Sequence, residues 1–310
     1  MKKRAPKIYR TTNWSSYNQA LIKRGNISIW FDPKTQWYAQ PQGKHGRNQT
    51  YSDTAIQCCL MIKSLFRLSL RMVTGFAQSL IKLCGLNWTA PDYSTLCRRQ
   101  KHIDIAISYQ KSPDGLHLLV DSTGLKFLGE GEWKCKKHQP EYRRQWRKLH
   151  IGIDAETLQI RAVQLTTNNI SDSQVLGDLL NQIPLDEQID SVYTDGAYDT
   201  KQCRQVIADR QAYAVIPPRK NAKPWKDTKT HSLQRNELLR TVKHLGRAIW
   251  KKWCGYHRRS LVETKMHCIK LLGDKLRSRN FDSQVNEIHA RVAVLNKFNE
   301  LGRPHTRVVT

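Results

Sequence analysis

Three acidic residues lie in sequence contexts that an ordinary surface ion pair does not explain. Asp121 follows the apolar residues Leu118–Val120 and is predicted to lie in a buried strand, where a carboxylate needs a hydrogen bond, an ion pair or a cation. Asp195 ends a second apolar stretch, in YTDGAYD, and the glycine after it allows close approach of another backbone. Glu263 is the single acid of GYHRRSLVETKMHCIK, among six Lys, Arg and His residues. Together they predict a site built from carboxylate oxygens.

Three carboxylates of this kind predict a site for hard divalent cations. Oxygen donors suit Mg²⁺ or Mn²⁺, whereas zinc sites are typically built from Cys and His. Two such ions, about 3.5–4 Å apart, can activate water or a 3′-hydroxyl and stabilise the leaving oxygen of a phosphodiester. We therefore predict that Asp121, Asp195 and Glu263 are catalytic residues that bind Mg²⁺, with Mn²⁺ able to substitute and with two ions as the expected number.

Cysteine and histidine residues near Glu263 offer an alternative metal site, which the pattern disfavours. Cys254, His257, His267 and Cys268 would all lie on one helix instead of converging from two elements. The eight cysteines of the chain form no C-x-x-C pair. Reduced core thiols in a cytosolic protein are therefore expected.

Helical geometry puts Glu263 on a narrow stripe with a phenol and two cations. At about 100° per residue, the stripe holds Tyr256, Arg259, Glu263 and Lys270, and several leucine and isoleucine residues lie roughly opposite. The apolar side is predicted to pack on a sheet and the stripe to face outward. A solvated face with helical ion pairs is the alternative, although an i,i+4 pair contributes only about 0.3–0.5 kcal/mol.

The order of strands and helices over residues 115–300 predicts an α/β domain with a ribonuclease-H-like core. The predicted elements are a strand around Asp121, a hairpin turning at 154–157, a helix capped by Ser171, a strand ending at Asp195, a helix from near Thr200, a strand in AYAVIPPRKN, and helices at 233–253 and 255–270. Strand ends are where sites form in open α/β sheets. Asp121 and Asp195 would meet there if their strands are neighbours.

Residues 1–110 are predicted to form a basic arm followed by a helical DNA-binding region. Apolar residues take up helical spacing after position 52. The predicted N-caps are Ser52 and Thr89. The segment 69–102 is a helix-turn-helix candidate in which Arg98 and Arg99, near its end, would reach DNA. A plain helical bundle with a basic exposed face is the alternative.

The charge distribution favours a nucleic acid as partner. The chain has 310 residues and a formal net charge of +26. Residues 1–110 hold 17 basic and four acidic residues, whereas residues 151–200 hold nine acids and one arginine. An acidic centre between basic segments suits a catalytic core with nucleic-acid-binding flanks, and a ribosomal or membrane-surface role is the competing interpretation. Charged residues interrupt the apolar-rich segment Cys58–Leu86, so no membrane span is predicted.

Three motifs together resemble those of DDE transposases of bacterial insertion sequences. The stripe around Glu263 is similar to their Y-x2-R-x3-E-x6-K signature, and VDSTGLK and YTDGAYDT resemble their two aspartate motifs. AVIPPRKNAKPW is similar to the stretch between the second and third acids in insertion sequence family five. The resemblance covers most of the chain and is weakest in residues 1–50.

The resemblance implies a transposase that cleaves phosphodiester bonds at transposon ends and joins the freed 3′-hydroxyl to target DNA. Its expected partners are double-stranded DNA, both terminal inverted repeats and target, and further copies of the chain in a homodimer or higher oligomer. We expect it in the cytoplasm, associated with the nucleoid. A structure-specific nuclease on the same core and a catalytically silent DNA-binding regulator are the alternatives.

The resemblance also implies roles for several side chains outside the three acids. Tyr256, Arg259 and Lys270 would contact the DNA backbone near the cleaved end. Arg219 and Lys220 would line the path of the DNA, or are solvated loop charges. The tryptophans at 225, 250 and 253 would stack on distorted DNA, or are buried core residues.

Overall fold

A computed structural model describes residues 8–26, 30, 34–41, 48–112, 114–128 and 145–309. Parts of the predicted N-terminal arm, and Cys135, lie outside these residues. The chain divides into two compact units, Met1–Ser108 with Ala293–Thr310, and Tyr109–Val292. The second unit contains the three predicted catalytic acids.

The described part of the first unit contains four complete helices. They are α1 (Trp14–Arg24), α2 (Asp53–Phe66), α3 (Leu70–Leu83) and α4 (Tyr93–Arg99). Ser52 is the N-cap of α2, as predicted, because its hydroxyl accepts a hydrogen bond from the backbone N–H of Ala55. Strand β1 (Ile8–Thr11) pairs antiparallel with β7 (Thr306–Val309), so residues near both chain ends belong to this unit.

The prediction that Thr89 is an N-cap is wrong. α4 begins at Tyr93, and Asp92 is its N-cap, with its carboxylate accepting a hydrogen bond from the N–H of Ser94. The hydroxyl of Thr89 instead lies 3.1 Å from the hydroxyl of Tyr51. Residue 90 precedes Pro91, and a proline disfavours the helical conformation of the residue before it. The helix therefore starts after the proline.

The second unit contains a mixed sheet flanked by helices. Its elements are β2 (Leu116–Leu128), β3 (Gln145–Asp154), β4 (Ile160–Thr167), α5 (Asp172–Asn181), β5 (Ile189–Tyr193), α6 (Lys201–Asp209), β6 (Tyr213–Val215), α7 (Thr230–Leu245), α8 (Arg247–Trp253) and α9 (Ser260–Leu272). A final helix, α10 (Phe281–Leu301), starts in this unit and ends in the first.

Within the described residues the sheet has five strands in the order β4–β3–β2–β5–β6. β2, β3 and β4 are antiparallel neighbours, and β5 and β6 run parallel to β2. This arrangement, with helices after the third strand, is consistent with the predicted ribonuclease-H-like α/β fold and confirms the fold class. It makes β2 and β5 neighbours, which is the condition that the site prediction requires.

The core of this unit lies between the sheet and two of its helices. Leu116, Leu118 and Val120 of β2 are fully buried and pack in one cluster with α5 and α6. Side chains alternate between the faces of a strand. The odd-numbered positions of β2, including Asp121, therefore face the opposite side of the sheet.

Two helix predictions near the third acid need correction. The predicted helix at 233–253 is divided at Gly246, whose φ of 83° ends α7 and starts α8. Tyr256–Arg259 form a 3₁₀ turn, and the α-helix begins only at Ser260. The change of helix type turns residues 256–259 relative to the stripe predicted for one continuous α-helix.

None of the helices in the described part of the chain combines the length and apolarity that a bilayer crossing requires. The cysteines of the described residues are free thiols; Cys58, Cys59 and Cys203 are buried, whereas Cys84 and Cys97 are exposed.

Candidate active site

Asp121 and Asp195 are brought together by the register of two parallel strands. Leu118 of β2 pairs with Val192 of β5, and Leu119 pairs with Tyr193. Continuing this register two residues further along both strands leads to Asp121 and to Asp195, which lies just beyond the end of β5. The pairing of two strands that are far apart in sequence thus places the two aspartates next to each other, at neighbouring strands inside the sheet.

Each aspartate has one oxygen fixed by a local backbone N–H. Asp121 Oδ1 accepts a hydrogen bond from the N–H of Ser122 at 2.8 Å, and Asp195 Oδ1 accepts one from the N–H of Ala197 at 2.8 Å. Burial raises the pKa of Asp121, while the Ser122 N–H and the guanidinium of Arg259 lower it and the charge of Asp195 raises it again. A pair of neighbouring carboxylates, both half-buried, is an arrangement that a cation stabilises.

The glycine after Asp195 allows the close approach that the sequence predicted. A Cβ atom at Gly196 would come 3.3 Å from the carbonyl oxygen of Pro217. From the same segment, the guanidinium of Arg219 donates hydrogen bonds to the carbonyls of Gly196 and Ala197 at 3.1 and 3.0 Å. Two stretches of backbone are therefore held side by side at the Asp195 turn.

Glu263 reaches the site from the first turn of α9. Its side chain is 58% exposed, and it is joined to Asp121 through Arg259. Arg259 Nη2 donates to Glu263 Oε1 at 2.8 Å, and Arg259 Nη1 donates to Asp121 Oδ2. One guanidinium thus bridges the first and the third predicted acid.

The other members of the predicted stripe have separate surroundings. Lys270 Nζ donates to the hydroxyl of Thr123 at 2.8 Å, two residues beyond Asp121 on the same face of β2. Tyr256 is buried, 5.8 Å from the ring of Trp250 between centroids, and burial raises the pKa of its hydroxyl. The stripe therefore includes one buried residue, because the 3₁₀ turn directs Tyr256 inward.

The carboxylate oxygens of the three acids suit a hard divalent cation, but the guanidinium of Arg259 lies between Asp121 and Glu263. Among the described residues, no group of three or more His, Cys, Asp and Glu side chains lies close enough to hold a metal ion. Arg259 instead engages one oxygen of Asp121 and one of Glu263. Oxygen donors on neighbouring elements fit Mg²⁺ or Mn²⁺ if Arg259 withdraws.

A buried ion network that the sequence analysis missed supports the loop after Asp195. Asp199 Oδ1 accepts from Arg204 Nε at 2.9 Å, and its Oδ2 accepts from Arg235 Nη2 at 3.1 Å. Arg204 also donates to the carbonyl of Ile216, and Arg235 to that of Lys223. The network joins α6, α7 and the segment 216–223 to the turn that carries Asp195. Asp199, the second acid of YTDGAYD, is visible in the sequence, but its partner Arg235 is distant in sequence.

The two arginines of the helix-turn-helix candidate differ in their contacts. Arg99 is largely buried, and its guanidinium is engaged by Asp53 and by the carbonyl of Tyr51. Arg98 is exposed, with a long contact of 3.4 Å to the carbonyl of Ser94. A cleft of about 330 Å³ beside them is lined by Asn48, Gln49, Thr50, Tyr51, Thr95, Arg98 and Arg99.

The three tryptophans that could meet DNA have different environments. Trp250 is buried, and the guanidinium of Arg235 lies over the ring of Trp225 at 4.5 Å. Trp253 is 75% exposed at the end of α8, beside exposed Lys252. The burial alternative therefore applies to Trp250, and Trp253 has a free ring face.

Comparison with known families gives two matches. A family model described as a transposase DDE domain matches residues 112–297, which is more than half of the chain and includes Asp121, Asp195 and Glu263. A second model with the same description matches residues 22–130.

Proposed function

The chain belongs to the transposase DDE domain family, and we propose that it cleaves phosphodiester bonds at transposon ends and joins the freed 3′-hydroxyl to target DNA. The observation that carries the proposal is the strand register that aligns Asp121 with Asp195, together with the Arg259 bridge from Asp121 to Glu263. Membership of the family supports transposition as the process.

Asp121, Asp195 and Glu263 would supply the oxygens that bind divalent cations, most simply two Mg²⁺ ions. When bound, such ions activate a water or 3′-hydroxyl and stabilise the leaving oxygen of the phosphodiester. The strand pairing fixes the two aspartates, and the Ser122 and Ala197 N–H groups orient one oxygen of each. The fixed spacing supports catalysis through positioning and electrostatics.

Basic side chains around the acids would hold the DNA backbone. Lys270 lies beside Asp121 through its contact with Thr123, and Lys220 is exposed next to Arg219, which already caps the Asp195 turn. Tyr256 is buried, which makes it a poorer candidate for a phosphate contact than these two lysines. Lys270 and Lys220 are therefore the simplest phosphate contacts in this unit.

In the first unit, Arg98 is the better candidate for a DNA contact than Arg99. Arg98 is exposed at the cleft beside α4, while the guanidinium of Arg99 is paired with Asp53. We propose that residues 69–102 contact the terminal inverted repeats in double-stranded DNA, at the nucleoid. A homodimer or higher oligomer would bring two ends together with target DNA.

The test uses linear duplexes that carry the ends of the encoding element. Protein and DNA are incubated with Mg²⁺, Mn²⁺, Ca²⁺ or a chelator, and the products are separated on a denaturing gel. We expect cut ends and joined products with Mg²⁺ and Mn²⁺ and neither with chelator. Asp121→Asn, Asp195→Asn and Glu263→Gln should each abolish cleavage and keep DNA binding, because an amide is a poorer ligand for a hard cation.

Asp209→Asn is the matched control, since Asp209 is an exposed acid of the same unit. Near wild-type cleavage by any of the three variants would remove that residue from the site. Cutting without joining would indicate a nuclease, and binding without either reaction would indicate a silent regulator.

A further inference from the structure

Arg259 uses the oxygens that a metal ion would need. Asp121 Oδ1 already accepts the Ser122 N–H, and Asp121 Oδ2 accepts Arg259 Nη1. The other end of the guanidinium takes Glu263 Oε1 at 2.8 Å. A metal ion that bound Asp121 Oδ2 or Glu263 Oε1 would therefore compete with Arg259 for the lone pairs of these oxygens.

The environment of Arg259 differs from that of the other cations of its segment. Its side chain is 18% exposed and lies 6.0 Å from the centre of the Tyr256 ring. Lys270 is directed to the hydroxyl of Thr123, and Arg258, the adjacent residue, is exposed. The position of Arg259 between two carboxylates thus depends on its place in the 3₁₀ turn and not on a general excess of positive charge.

A phosphate group offers Arg259 an equivalent partner. A guanidinium binds phosphate through the same two-pronged geometry that it uses for carboxylates. Glu263 is exposed beside the guanidinium of Arg259, so a DNA phosphate could reach this guanidinium from solvent. Transfer of Arg259 from carboxylate to phosphate would leave Asp121 and Glu263 available as ligands.

We propose that Arg259 is a built-in competitor of the metal: it pairs with Asp121 and Glu263 in the DNA-free protein and releases them when a DNA phosphate binds it. Metal and DNA would then increase each other's affinity, because coupling between two binding sites is reciprocal. This inference rests on the proposed function, in which these acids bind metal. It gives Arg259 a role beyond holding DNA, since it would prevent metal loading before the substrate is present.

The direct test is metal affinity in the absence of DNA. Mn²⁺ binding to the full chain is followed by electron paramagnetic resonance of the free ion, for the wild type, for Arg259→Gln and for Asp195→Asn. We expect Arg259→Gln to bind Mn²⁺ about tenfold more tightly, a typical size for coupling between sites. Loss of a merely structural brace would weaken binding, so equal or weaker affinity would overturn the proposal.

Arg258→Gln is the matched control, because Arg258 is exposed and adjacent to Arg259, and its replacement removes the same charge. It should change Mn²⁺ affinity much less than Arg259→Gln. An equal gain in both variants would mean that only net charge matters, and the competitor role would fall. If thermal unfolding shows that Arg259→Gln is not folded, Arg259→Lys replaces it, with an intermediate gain expected because an ammonium lacks the two-pronged geometry.

The second arm measures the coupling with DNA. Ca²⁺ binding is titrated calorimetrically with and without a short mixed-sequence duplex, and the signal of Asp195→Asn protein with the same duplex is subtracted. DNA should tighten Ca²⁺ binding to the wild type and leave Arg259→Gln nearly unchanged. The same enhancement in both proteins would overturn the proposal. If Asp195→Asn retains full Mn²⁺ binding in the first arm, the metal site of the proposed function itself is wrong, a failure distinct from any result with Arg259.

Discussion

Charged side chains around the helix that follows Asp195 are buried, whereas the acid on the helix that carries Glu263 is exposed. Around α6, the carboxylate of Asp199 and the guanidinium groups of Arg204 and Arg235 are almost fully buried and paired with one another. Around α9, Glu263 is 58% exposed and is paired through Arg259. One side of the site is enclosed and the other is open to solvent.

The difference indicates which part of the site is fixed and which can change. Buried ions that lose a partner carry a large energetic penalty, so the α6 side has one arrangement of its contacts. An exposed ion pair contributes little, so the contact of Arg259 with the 58% exposed Glu263 can be exchanged for another. The two aspartates would thus form a rigid base, and Glu263 with Arg259 the adjustable part that responds to metal and DNA.

The largest expected effect comes from removing the buried charge on the α6 side. Asp199→Asn would leave two buried guanidinium groups without their carboxylate and should lower the free energy of unfolding by about 3–5 kcal/mol. On the α9 side, Glu263→Gln should lower it by no more than about 1 kcal/mol, since exposed ion pairs contribute little. Urea unfolding followed by circular dichroism measures both.

Asp209→Asn, on α6, is the control for the loss of a carboxylate at Asp199. Asp209 is exposed and accepts a hydrogen bond from Gln205, so its replacement should change stability by less than about 0.5 kcal/mol. Equal losses for Asp199→Asn and Glu263→Gln would contradict the division into a rigid and an adjustable side.

Local signals in the sequence predicted several of the elements around the site. The hairpin around 154–157 was predicted from alternation and turn residues. Ser171 caps its helix as expected, in a capping box with Gln174, and the helix predicted to begin near Thr200 starts at Lys201 with Thr200 as its N-cap. Gly246 was a visible break signal, and its positive φ explains why the predicted helix at 233–253 is two helices.

The contacts within the site depend on tertiary structure and could not be predicted in the same way. The spacing of the stripe placed Arg259 beside Glu263, but its bridge to Asp121 requires β2 and the 3₁₀ turn to meet. Tyr256 is buried because that turn replaces α-helix, a change that hydrophobic periodicity does not reveal. Asp199 finds its partner Arg235 on a helix far along the chain.

A second prediction concerns the loss of stability in acid that a buried histidine beside α5 should cause. His150 of β3 is fully buried beside Asp172 and Lys148, and burial lowers its pKa to about 4 from an ordinary 6.5, while Asp172 raises it and Lys148 lowers it. The unfolded chain therefore binds more protons between these values, and stability falls as the pH is lowered from about 6.5 to about 4. The full loss is about 3 kcal/mol.

Replacing the imidazole should remove this part of the pH dependence. His150→Gln should give a flatter profile of unfolding free energy between pH 6.5 and 4, measured by urea unfolding at each pH. His267→Gln, at an exposed position of α9, is the control and should keep the wild-type slope. An unchanged slope in His150→Gln would mean that other groups on the enclosed side cause the acid sensitivity.

The smallest expected effect tests whether the enclosed side contains a polar group that stability does not need. Tyr198 lies in the turn after Asp195, is 1% exposed, and packs in the cluster with α5 and α6. Its hydroxyl has no hydrogen-bond partner among the described residues, and burial raises its pKa, with the charges of Asp172, Asp121 and Asp195 acting in the same direction. An unpaired buried hydroxyl is unfavourable by about 1–3 kcal/mol.

Tyr198→Phe keeps the ring and removes that hydroxyl. The variant should therefore be as stable as the wild type or more stable by about 1 kcal/mol, as measured by urea unfolding. Cleavage of end-bearing DNA should be unchanged, because the Ala197 N–H, and not Tyr198, orients the Asp195 carboxylate. If Tyr198→Phe instead slows cleavage while stability is unchanged, the hydroxyl acts on the aspartates directly, and the enclosed side contributes to the chemistry as well as to the support of the site.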